Sequence, residues 1–460
     1  MSYLRIGAEA HAALRAALSP QALLLKPEDL TPYCTDASGL SHTPELVVRA
    51  QSVLDVQHLL KLAQEFRFPV VPRGGGSGLA GACLAHLGGA VLSLEDLNQI
   101  RQIDTANFLM EVEAGTISQK VRDAAWQAGL FYPPDPAGME LSTIGGNAAT
   151  DAGGPACVKY GTTRDYILGL TAVLPTGELM QTGVRTRKGV VGYDLTNLLV
   201  GSEGTLAVIT SLILKLIPKP DATTGLFCIF PDMVSAMQAV ASTMAVGHLP
   251  SAIEFLDYRC LRLVADLLSF QLPAGKPSLL LVELDGPAQV LASEMEEVCK
   301  LMLKAGAIST FAAKSEKERQ EIWAVRRQVS LRIHDYAALY FAEDVTVPIS
   351  AIADLVNALP DYEGRYQLEI FAFGHAGDGN IHLNITTQDP HKEEQALAGV
   401  QALLQLVLEL GGTISGEHGI GLAKKDYIGM ELPQSMLDLQ RQIKNLFDPN
   451  QILNPGKIFP

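Results

Sequence analysis

The sequence has few cysteines and little charge, and neither kind of residue is clustered. Six cysteines are spread over 460 residues, and no two of them form a C-x-x-C pair. This spacing fits a reducing compartment and argues against a cysteine-rich zinc or iron–sulfur site built by this chain alone. Charged residues make up 18% of the chain and give a formal net charge of −15. Because no Lys/Arg stripe offsets that charge, a nucleic-acid partner is not expected.

Long apolar runs and a secretory leader are also missing. No run reaches the roughly 18 residues that a membrane-spanning helix needs, and residues 1–18 lack the charged-then-apolar order of a signal peptide. We therefore expect a soluble, cytoplasmic protein that meets the inner membrane at most through a partner. The apolar fraction of 48% is typical of a well-cored globular protein, and the length favours two domains.

The order of strand-like and helix-like patterns divides the chain. Up to about residue 218, short apolar runs alternate with amphipathic stretches, which indicates α/β units. Two prolines follow a strand at 217–225 and mark a boundary. Beyond it, two rounds of strand, helix and strand predict an α+β domain with an antiparallel sheet. The expected divisions are 1–218, 219–413 and a C-terminal segment, 414–460.

A glycine-rich loop follows the second predicted strand and reads RGGGSGLAG from Arg73 to Gly81. It contains G-x-G-x-x-G, but another strand follows in place of a helix, which disfavours an NAD-binding Rossmann motif. The backbone N–H groups of such a run can turn towards one anion, and pyrophosphate suits this best, with added charge from Arg73. The alternative is a flexible connector, which four glycines within five residues make entropically costly.

Two more small-residue stretches lie in the same predicted domain. They read STIGGNAATDAGGP at 142–155 and GSEGTLAVIT at 201–210. Glycines let a backbone approach a ligand closely, and Ser142, Thr143 and Asn147 can supply hydrogen bonds. Three such segments in one domain imply a long ligand with phosphates and rings, and a dinucleotide fits.

Two histidines flank a tight turn in the stretch GHAGDGNIHLN, 374–384. Asp378-Gly379 is a hairpin signal, so His375 and His382 are predicted to lie on facing strands. Such a pair can share a divalent cation with a third ligand, for which Glu417 in SGEHG is the candidate. Ligand type alone suits zinc, manganese and iron, of which we expect zinc. The structural alternative is two hydrogen-bonded histidines near a surface hairpin.

Six motifs, in order along nearly the whole chain, resemble the FAD-dependent D-2-hydroxyacid dehydrogenases of the vanillyl-alcohol-oxidase superfamily. That group includes D-lactate dehydrogenase, the glycolate oxidase catalytic subunit and D-2-hydroxyglutarate dehydrogenase. The motifs are PRGGGSGLAGA, PPDP…STIGGNAATDAGG, GSEGTLAVIT, GHAGDGNIHLN, SGEHGIGLAKKDYI and NPGKIF. The resemblance implies an α+β protein. It would have a vanillyl-alcohol-oxidase-type FAD-binding domain of two α/β subdomains, and an α+β cap domain with an antiparallel sheet that binds substrate. The C-terminal segment would return to the FAD domain.

The same resemblance assigns residues to the cofactor. Residues 73–78 would cradle the pyrophosphate, and the 134–153 and 203–209 segments would hold the riboflavin end. Some members attach FAD covalently through a histidine in the first loop; none stands there in this sequence, so we expect non-covalent FAD and a structural role for His86. The expected cofactor residues are Arg73, Gly74, Gly75, Gly76, Ser77, Gly78, Pro134, Asp135, Ser142, Thr143, Gly145, Gly146, Asn147, Gly153, Glu203, Gly204, Ile209 and Asn454.

The resemblance also implies the chemistry. His375, His382 and Glu417 would bind the metal, and His418 would act as the base. A cation on a hydroxyl oxygen stabilises the developing alkoxide, and a neutral histidine can take the proton at physiological pH. The hydride would pass to flavin N5.

Substrate recognition is expected on a helix and on the hairpin. The family pattern assigns the substrate carboxylate to Arg326 in WAVRRQVS, where a planar guanidinium binds two oxygens; an exposed helix arginine is the alternative. Asn384 shares a strand face with His382 and is expected in the site, whereas Lys424 and Lys425 are expected to be solvated. Members that act on hydroxyglutarate carry a lysine where Ala342 aligns, which favours D-lactate or glycolate and leaves D-2-hydroxyglutarate as the alternative.

Two functions of other classes remain open at this point. One is a metallohydrolase that uses His375, His382 and Glu417, and the other is a non-catalytic flavin-binding subunit. An oxidoreductase would need an external electron acceptor: a quinone, an electron-transfer flavoprotein, a cytochrome or an iron–sulfur subunit. A homodimer and a hetero-complex are both open.

Overall fold

The computed structural model describes Tyr3, 5–245, Gly247, 249–268 and 271–460. The chain forms two compact units. The first comprises Met1–Gly153, Thr162–Lys219 and Glu417–Pro460, and the second comprises Gly154–Gly161 and Pro220–Gly416. Of the sequence-based domain 1–218, Met1, Ser2 and Leu4 lie outside the described residues.

The first unit begins with a small sheet of α/β type. Its strand order is β1-β2-β4-β3, in which β2, β4 and β3 are parallel and β1 is antiparallel to β2. Helix α3 (Val53–Phe66), which connects β2 to β3, starts at a capping box in which the Ser52 side chain accepts from the backbone N–H of Asp55. A capping box satisfies two of the backbone N–H groups that have no partner within the first turn of a helix. The predicted α/β units are confirmed here, since strand Leu46–Arg49, helix Val53–Phe66 and strand Val70–Arg73 follow one another in the chain.

A second sheet of the first unit is antiparallel, with the order β5-β6-β10-β8-β9. The sequence Pro175-Thr176-Gly177 lies in the turn between β8 and β9, which pair as neighbours. The strands of residues 1–219 are Leu23–Leu24 (β1), Leu46–Arg49 (β2), Val70–Arg73 (β3), Ala90–Ser93 (β4), Ile100–Asp104 (β5), Leu109–Glu113 (β6), Leu130–Phe131 (β7), Ile167–Val173 (β8), Leu179–Gly183 (β9), Val208–Lys215 (β10) and Ile217–Pro218 (β11).

Short helices occupy several stretches of residues 1–219. One of them, Ile144–Thr150, forms from the small-residue stretch IGGNAAT, which has no helical periodicity. The helices are Ala8–Ala17 (α1), Pro27–Leu30 (α2), Val53–Phe66 (α3), Ser118–Gln127 (α4), Ile144–Thr150 (α5), Cys157–Tyr160 (α6) and Leu195–Leu199 (α7).

The second unit is built on one seven-stranded antiparallel sheet with the order β15-β12-β14-β13-β17-β18-β16. An apolar cluster holds helices α9 and α11 against the sheet, through residues such as Leu261, Val329 and Phe373. The predicted α+β domain with an antiparallel sheet is confirmed. Its strands are Ala222–Phe230 (β12), Ala252–Leu256 (β13), Ser278–Gly286 (β14), Ser309–Ala312 (β15), Leu339–Thr346 (β16), Glu369–His375 (β17) and Asn380–Thr387 (β18).

A short excursion of the chain joins this unit. The residues Gly154–Gly161, which include α6, lie between two parts of the first unit in sequence but belong to the second. Asp285 at the end of β14 holds this segment, because it accepts from Lys159 and, at 2.7 Å, from the Tyr160 hydroxyl. The helices of 220–416 are Met233–Ala245 (α8), Tyr258–Leu263 (α9), Ala288–Lys304 (α10), Glu316–Tyr336 (α11), Ile352–Tyr366 (α12) and Glu393–Glu409 (α13).

The chain ends in the first unit with two helices, Ile428–Glu431 (α14) and Gln434–Phe447 (α15). After α15 the backbone runs beside β3, where the N–H of Asn454 donates to the carbonyl of Val70 at 2.8 Å. No helix of the described residues is both long enough and apolar enough to cross a membrane.

Candidate functional site

The first unit contains a large pocket lined by its three glycine-rich segments. The space between the lining atoms is about 1250 Å³, part of it open to solvent. The sequence-predicted cofactor residues that line it are Arg73, Gly74, Gly75, Gly76, Ser77, Gly78, Ser142, Thr143, Gly145, Gly146, Asn147, Gly153, Glu203, Gly204 and Ile209.

The first glycine loop provides hydrogen-bond donors to this pocket. Within the described chain, the backbone N–H groups of Gly75, Gly76, Ser77 and Gly78 donate to no other protein atom. A run of N–H groups left open in this way is an anion-binding nest, and it fits the pyrophosphate of a dinucleotide. Residues 74–89, all described, contain no helix, so the expectation that this is not a Rossmann turn is confirmed.

Arg73 supports this loop from beneath. Its guanidinium donates to the carbonyl of Thr35 at 2.8 Å and to the Cys83 thiol at 3.3 Å. A Cβ on Gly76 would lie 2.1 Å from Arg73 Nη2, so the loop and the guanidinium pack too closely for any side chain there. These hydrogen bonds of Arg73 hold the loop in shape.

The second glycine-rich segment approaches the first through Thr143. Thr143 caps α5 by accepting from the N–H of Gly146, and a Cβ on Gly74 would lie 2.2 Å from Thr143 Oγ1. On Gly75, a Cβ would lie 2.0 Å from the carbonyl oxygen of Leu141. The first segment needs glycine at position 75, where its backbone meets the backbone that leads into the second segment. Both segments line the same pocket.

Glu203 anchors the backbone that follows the SGEHG motif. Its carboxylate accepts from the N–H groups of Ile420 and Gly421, both at 2.8 Å, and it is 6% exposed. Burial raises the pKa of Glu203, although those two hydrogen bonds oppose the rise. The loop that they anchor carries Glu417 and His418, and both of these side chains line the pocket.

Three predicted cofactor residues do not line the pocket. The carbonyl of Pro134 accepts from Arg122 at 2.9 Å, and the adjacent Asp135 lies just before the lining stretch that begins at Pro136. Asn454 donates to the carbonyls of Glu203, at 2.7 Å, and Ala82, at 3.0 Å. It ties the last segment of the chain to the pocket wall.

The expected solvation of Lys424 is wrong. Lys424 is only 4% exposed, and its N–H donates to the carbonyl of Ile420 at 3.0 Å.

The two predicted ligand histidines lie on one hairpin of the second unit. β17 and β18 pair with His375 opposite Asn380 and His382 opposite Phe373, so both imidazoles point to the same face of the sheet. Their ring centroids are 5.2 Å apart and the rings are nearly perpendicular. The prediction of facing strands around one turn is confirmed.

A buried carboxylate on the neighbouring strand binds one of these histidines. Glu254 of β13 lies opposite His375, and its Oε1 is hydrogen-bonded to His375 Nδ1. Its Oε2 accepts from Arg326 Nε at 2.6 Å. Burial raises the pKa of Glu254, but its contacts with His375 and Arg326 outweigh burial and hold that pKa below its usual range.

Arg326 lies on α11, as the sequence predicted. Its guanidinium stacks 4.4 Å from the ring centroid of Phe373, and its side chain is 13% exposed. The neighbouring Arg327 is exposed, as expected of a surface arginine. Helix α11 thus holds one arginine over the histidine-bearing face of the sheet.

A second buried carboxylate lies on the other side of the hairpin. Asp344 of β16 is opposite His382, with Oδ1 3.9 Å from His382 Nδ1. It accepts from the Asn380 amide at 2.6 Å and from the N–H of Gly416 at 2.9 Å. Because Glu417 is the next residue in the chain, Asp344 fixes the backbone that leads into the SGEHG motif.

Asn384 and Ala342 are also paired on this face. Asn384 lies two residues beyond His382 on β18 and is directly opposite Ala342. It is 2% exposed. The position where related hydroxyglutarate enzymes were expected to carry a lysine is thus occupied by a methyl group beside Asn384.

Glu254 and Asp344 were missed by reasoning from the sequence. Each lies in a largely apolar strand pattern, SAIEFLD or YFAEDVTVP, where an acid is interpreted as a solvent-facing residue. The available signal was that a charged residue interrupts an otherwise continuous buried run, and buried carboxylates need partners.

Comparison with known families covers both parts of the chain. Residues 44–183 match the FAD binding domain, and residues 219–458 match the family described as FAD linked oxidases, C-terminal domain. The second match alone spans more than half of the sequence.

Two relatives illustrate the similarity. The glycolate oxidase subunit GlcD of Bacillus subtilis is 39% identical over 421 residues, which cover 90% of this chain and 89% of that protein. The D-lactate dehydrogenase of Archaeoglobus fulgidus is 37% identical over 441 residues, which cover 92% of this chain and 96% of that protein.

Solved structures share the fold at much lower identity. A p-cresol methylhydroxylase with substrate bound superimposes with a TM-score of 0.76 at 18% identity, covering 98% of this chain and 96% of that one. An alkyldihydroxyacetonephosphate synthase gives 0.77 at 19% identity, covering 99% and 88%. These matches confirm the predicted fold class.

Proposed function

The chain belongs to the family of FAD-linked oxidases, and on that premise we propose that it oxidises a small D-2-hydroxyacid, D-lactate or glycolate, to the 2-oxoacid. It is an FAD-dependent oxidoreductase. The proposal rests on one observation, that residues 75–78 and His418 line the same pocket. The N–H groups of 75–78 donate to no other described protein atom.

The names of the relatives agree with this substrate class. Proteins that match over about nine-tenths of the chain are called glycolate oxidase subunit and D-lactate dehydrogenase. Membership of an FAD-linked family also favours an oxidoreductase over the metallohydrolase, which has no use for a dinucleotide pocket.

Two groups would complete the site. The residues that line the first unit's pocket would hold FAD non-covalently, and His375, His382 and Glu417 would hold a divalent cation, for which we propose zinc, with manganese and iron compatible. When bound, FAD supplies the hydride acceptor and the cation polarises the substrate hydroxyl. The donor set fits a cation, because a ligand histidine commonly gives its other nitrogen to a carboxylate, as His375 does to Glu254.

The side chains of this protein perform the remaining tasks. Arg326 binds the substrate carboxylate through its guanidinium, which Phe373 stacks and Glu254 orients. His418 accepts the hydroxyl proton as the hydrogen on the same carbon leaves, and then returns that proton to solvent. Asn384 hydrogen-bonds the substrate from the strand face that it shares with His382.

The preference for a monocarboxylate rests on Ala342. Ala342 pairs with Asn384 across β16 and β18, so a methyl group lies where a second carboxylate of hydroxyglutarate would need a cation. A buried carboxylate without a partner is disfavoured by several kcal/mol. D-2-hydroxyglutarate is therefore the weaker candidate substrate.

We also propose that electrons leave through an external acceptor. The sequence has no C-x-x-C motif that could offer a cluster site. A quinone, an electron-transfer flavoprotein, a cytochrome or an iron–sulfur subunit could serve, in a homodimer or a hetero-complex, with the enzyme in the cytoplasm.

Anaerobic mixing with substrate tests the function. The flavin absorbance near 450 nm should bleach with D-lactate or glycolate and less with D-2-hydroxyglutarate, and treatment with a chelator should abolish bleaching. His418→Gln should slow bleaching by about 10²- to 10⁴-fold with unchanged FAD content. A flavin that none of the three acids reduces would refute the substrate class, and a His418→Gln protein that reduces at the wild-type rate would refute the assigned base.

A further inference from the structure

Glu254 makes two contacts that join two parts of the proposed site. One oxygen is bonded to His375 Nδ1, and the other accepts from Arg326 Nε at 2.6 Å. Glu254 is 1% exposed, and it reaches both partners because β13 pairs directly with β17 while α11 packs over the same face.

Both partners require an acceptor from Glu254. Arg326 Nε–H can only donate. His375 Nδ1 can donate or accept according to its tautomer, and a carboxylate accepts only, so the ring must carry its proton on Nδ1. A histidine protonated on Nδ1 presents the lone pair of Nε2, which is the form that binds a cation.

We propose that Glu254 is a positioning residue that fixes His375 as an Nε2 ligand and at the same time aims Arg326 at the substrate carboxylate. The inference rests on the proposed function, because that function assigns the roles of His375 and Arg326. One buried carboxylate thereby couples cation binding to substrate binding.

Glu254→Gln separates this role from simple packing. A glutamine has nearly the same shape, but it offers one acceptor and one donor to two partners that both donate. If its oxygen faces Arg326, its amide N–H₂ faces His375 Nδ1 and drives the proton to Nε2. If the amide flips, Arg326 loses its acceptor instead.

The chain offers a matched control in Glu283. Glu283 is also a partly buried carboxylate beneath α11; it accepts from Arg319 and, at 2.8 Å, from the indole of Trp323. It contacts no proposed ligand or substrate-binding residue. Glu283→Gln therefore breaks a similar arginine pair on the same helix without touching the site.

Metal affinity provides the first measurement. The wild type, both glutamine variants and His382→Ala would be freed of metal with a chelator and titrated with Zn²⁺ against a chromophoric competitor. We expect Glu254→Gln to bind Zn²⁺ about 10- to 100-fold more weakly, and Glu283→Gln to match the wild type. FAD content and the thermal unfolding midpoint report folding in each variant.

Steady-state kinetics provides a second readout. Loss of the Arg326 acceptor should raise KM for the hydroxyacid more than it lowers kcat at saturating Zn²⁺. Glu254→Asp, which keeps the acceptor-only chemistry, should recover part of the zinc affinity.

The outcomes separate the two proposals. If the wild type binds Zn²⁺ more tightly than His382→Ala does, while Glu254→Gln binds it as tightly as the wild type and keeps its KM, only the role of Glu254 is overturned. If the wild type and His382→Ala bind Zn²⁺ equally weakly, the metal site fails and this inference fails with it.

The tautomer of His375 can be measured in the wild type, so it tests the role of Glu254 even if Glu254→Gln does not fold. In metal-free wild type with ¹⁵N-labelled histidine, the signals lost in His375→Gln should show a protonated Nδ1 and an unprotonated Nε2. A protonated Nε2 would overturn the inference.

Discussion

At the scale of single residues, buried carboxylates of the second unit each hold a different partner. Glu254 joins a histidine to an arginine, Asp344 joins an asparagine to the backbone of Gly416, and Asp257 caps a helix. Each removes a charge from water, so each depends on the hydrogen bonds that it receives. The surroundings of Glu254 and Asp257 differ, and the pKa of Glu254 is lowered whereas that of Asp257 is raised.

Asp257 should make stability depend on pH. Burial raises its pKa from 3.8 to about 6, although the N–H of Cys260 that it accepts opposes the rise. The folded protein thus holds a proton that the unfolded chain loses near pH 4. Stability from this group is present at low pH and is lost as the pH rises from about 4 to about 6.

Asp257→Asn tests this, because asparagine caps a helix as well as aspartate does but does not ionise. At pH 8 the variant should be the more stable by about 3 kcal/mol, at 1.36 kcal/mol per pKa unit. The difference between the thermal unfolding midpoints of the variant and the wild type should grow by several degrees as the pH rises from 5, and it should level off above about pH 6. A difference that stays constant with pH would contradict the expectation.

At the scale of elements, the hairpin β17–β18 sets the geometry of the two histidines. The register places their rings on one face, and the turn between the strands depends on glycine. Gly379 has a φ of +87°, and a Cβ there would lie 2.0 Å from the carbonyl oxygen of Val347. The turn therefore tolerates no side chain at this position.

Gly379→Ala should destabilise the hairpin and weaken metal binding. The left-handed conformation and the clash with Val347 together cost about 1–3 kcal/mol, and relief of the clash must move β18, which carries His382. Gly364→Ala is the matched control, since a Cβ at that helix position meets no atom within 4 Å. Thermal unfolding and Zn²⁺ titration should show losses only in Gly379→Ala. Equal unfolding midpoints and equal Zn²⁺ affinities in the two variants would contradict the role of the hairpin in metal binding.

At the scale of the whole molecule, cofactor binding should contribute to stability. The pocket is lined by backbone and small side chains from segments that are far apart in the sequence, so we expect FAD to bind the folded first unit and not the unfolded chain. A ligand present at 100 times its dissociation constant adds about 2.7 kcal/mol to the free energy of unfolding.

FAD should therefore be released intact on denaturation. After acid precipitation of the purified protein we expect a colourless pellet and a yellow supernatant, because no histidine or cysteine stands within 73–78. The FAD-free protein should unfold at a lower temperature and recover its midpoint when FAD is added back. Flavin fluorescence retained by the precipitated chain would instead show a covalent link, for which His418 and Cys83 in the pocket wall would be the first candidates.

Several features of this protein could be predicted from the sequence because they depend on local chemistry. The glycine run at 74–78, the Asp378-Gly379 turn and the arginine of α11 each depend on spacing over a few residues, and spacing is visible in a sequence. Strand periodicity also predicted which face of β18 His382 and Asn384 would share. These features follow from backbone sterics and from the two-residue repeat of a strand.

Only the tertiary structure decided which distant residues meet. Glu254 lies 121 positions before His375, and Glu203 lies 217 positions before Ile420, so their pairing follows from strand order and loop return. The helix of IGGNAAT and the burial of Lys424 were likewise fixed by neighbours, because small residues and a single lysine carry no periodic signal of their own. Long-range pairing depends on how sheets and loops pack as a whole, and a one-dimensional pattern does not contain that information.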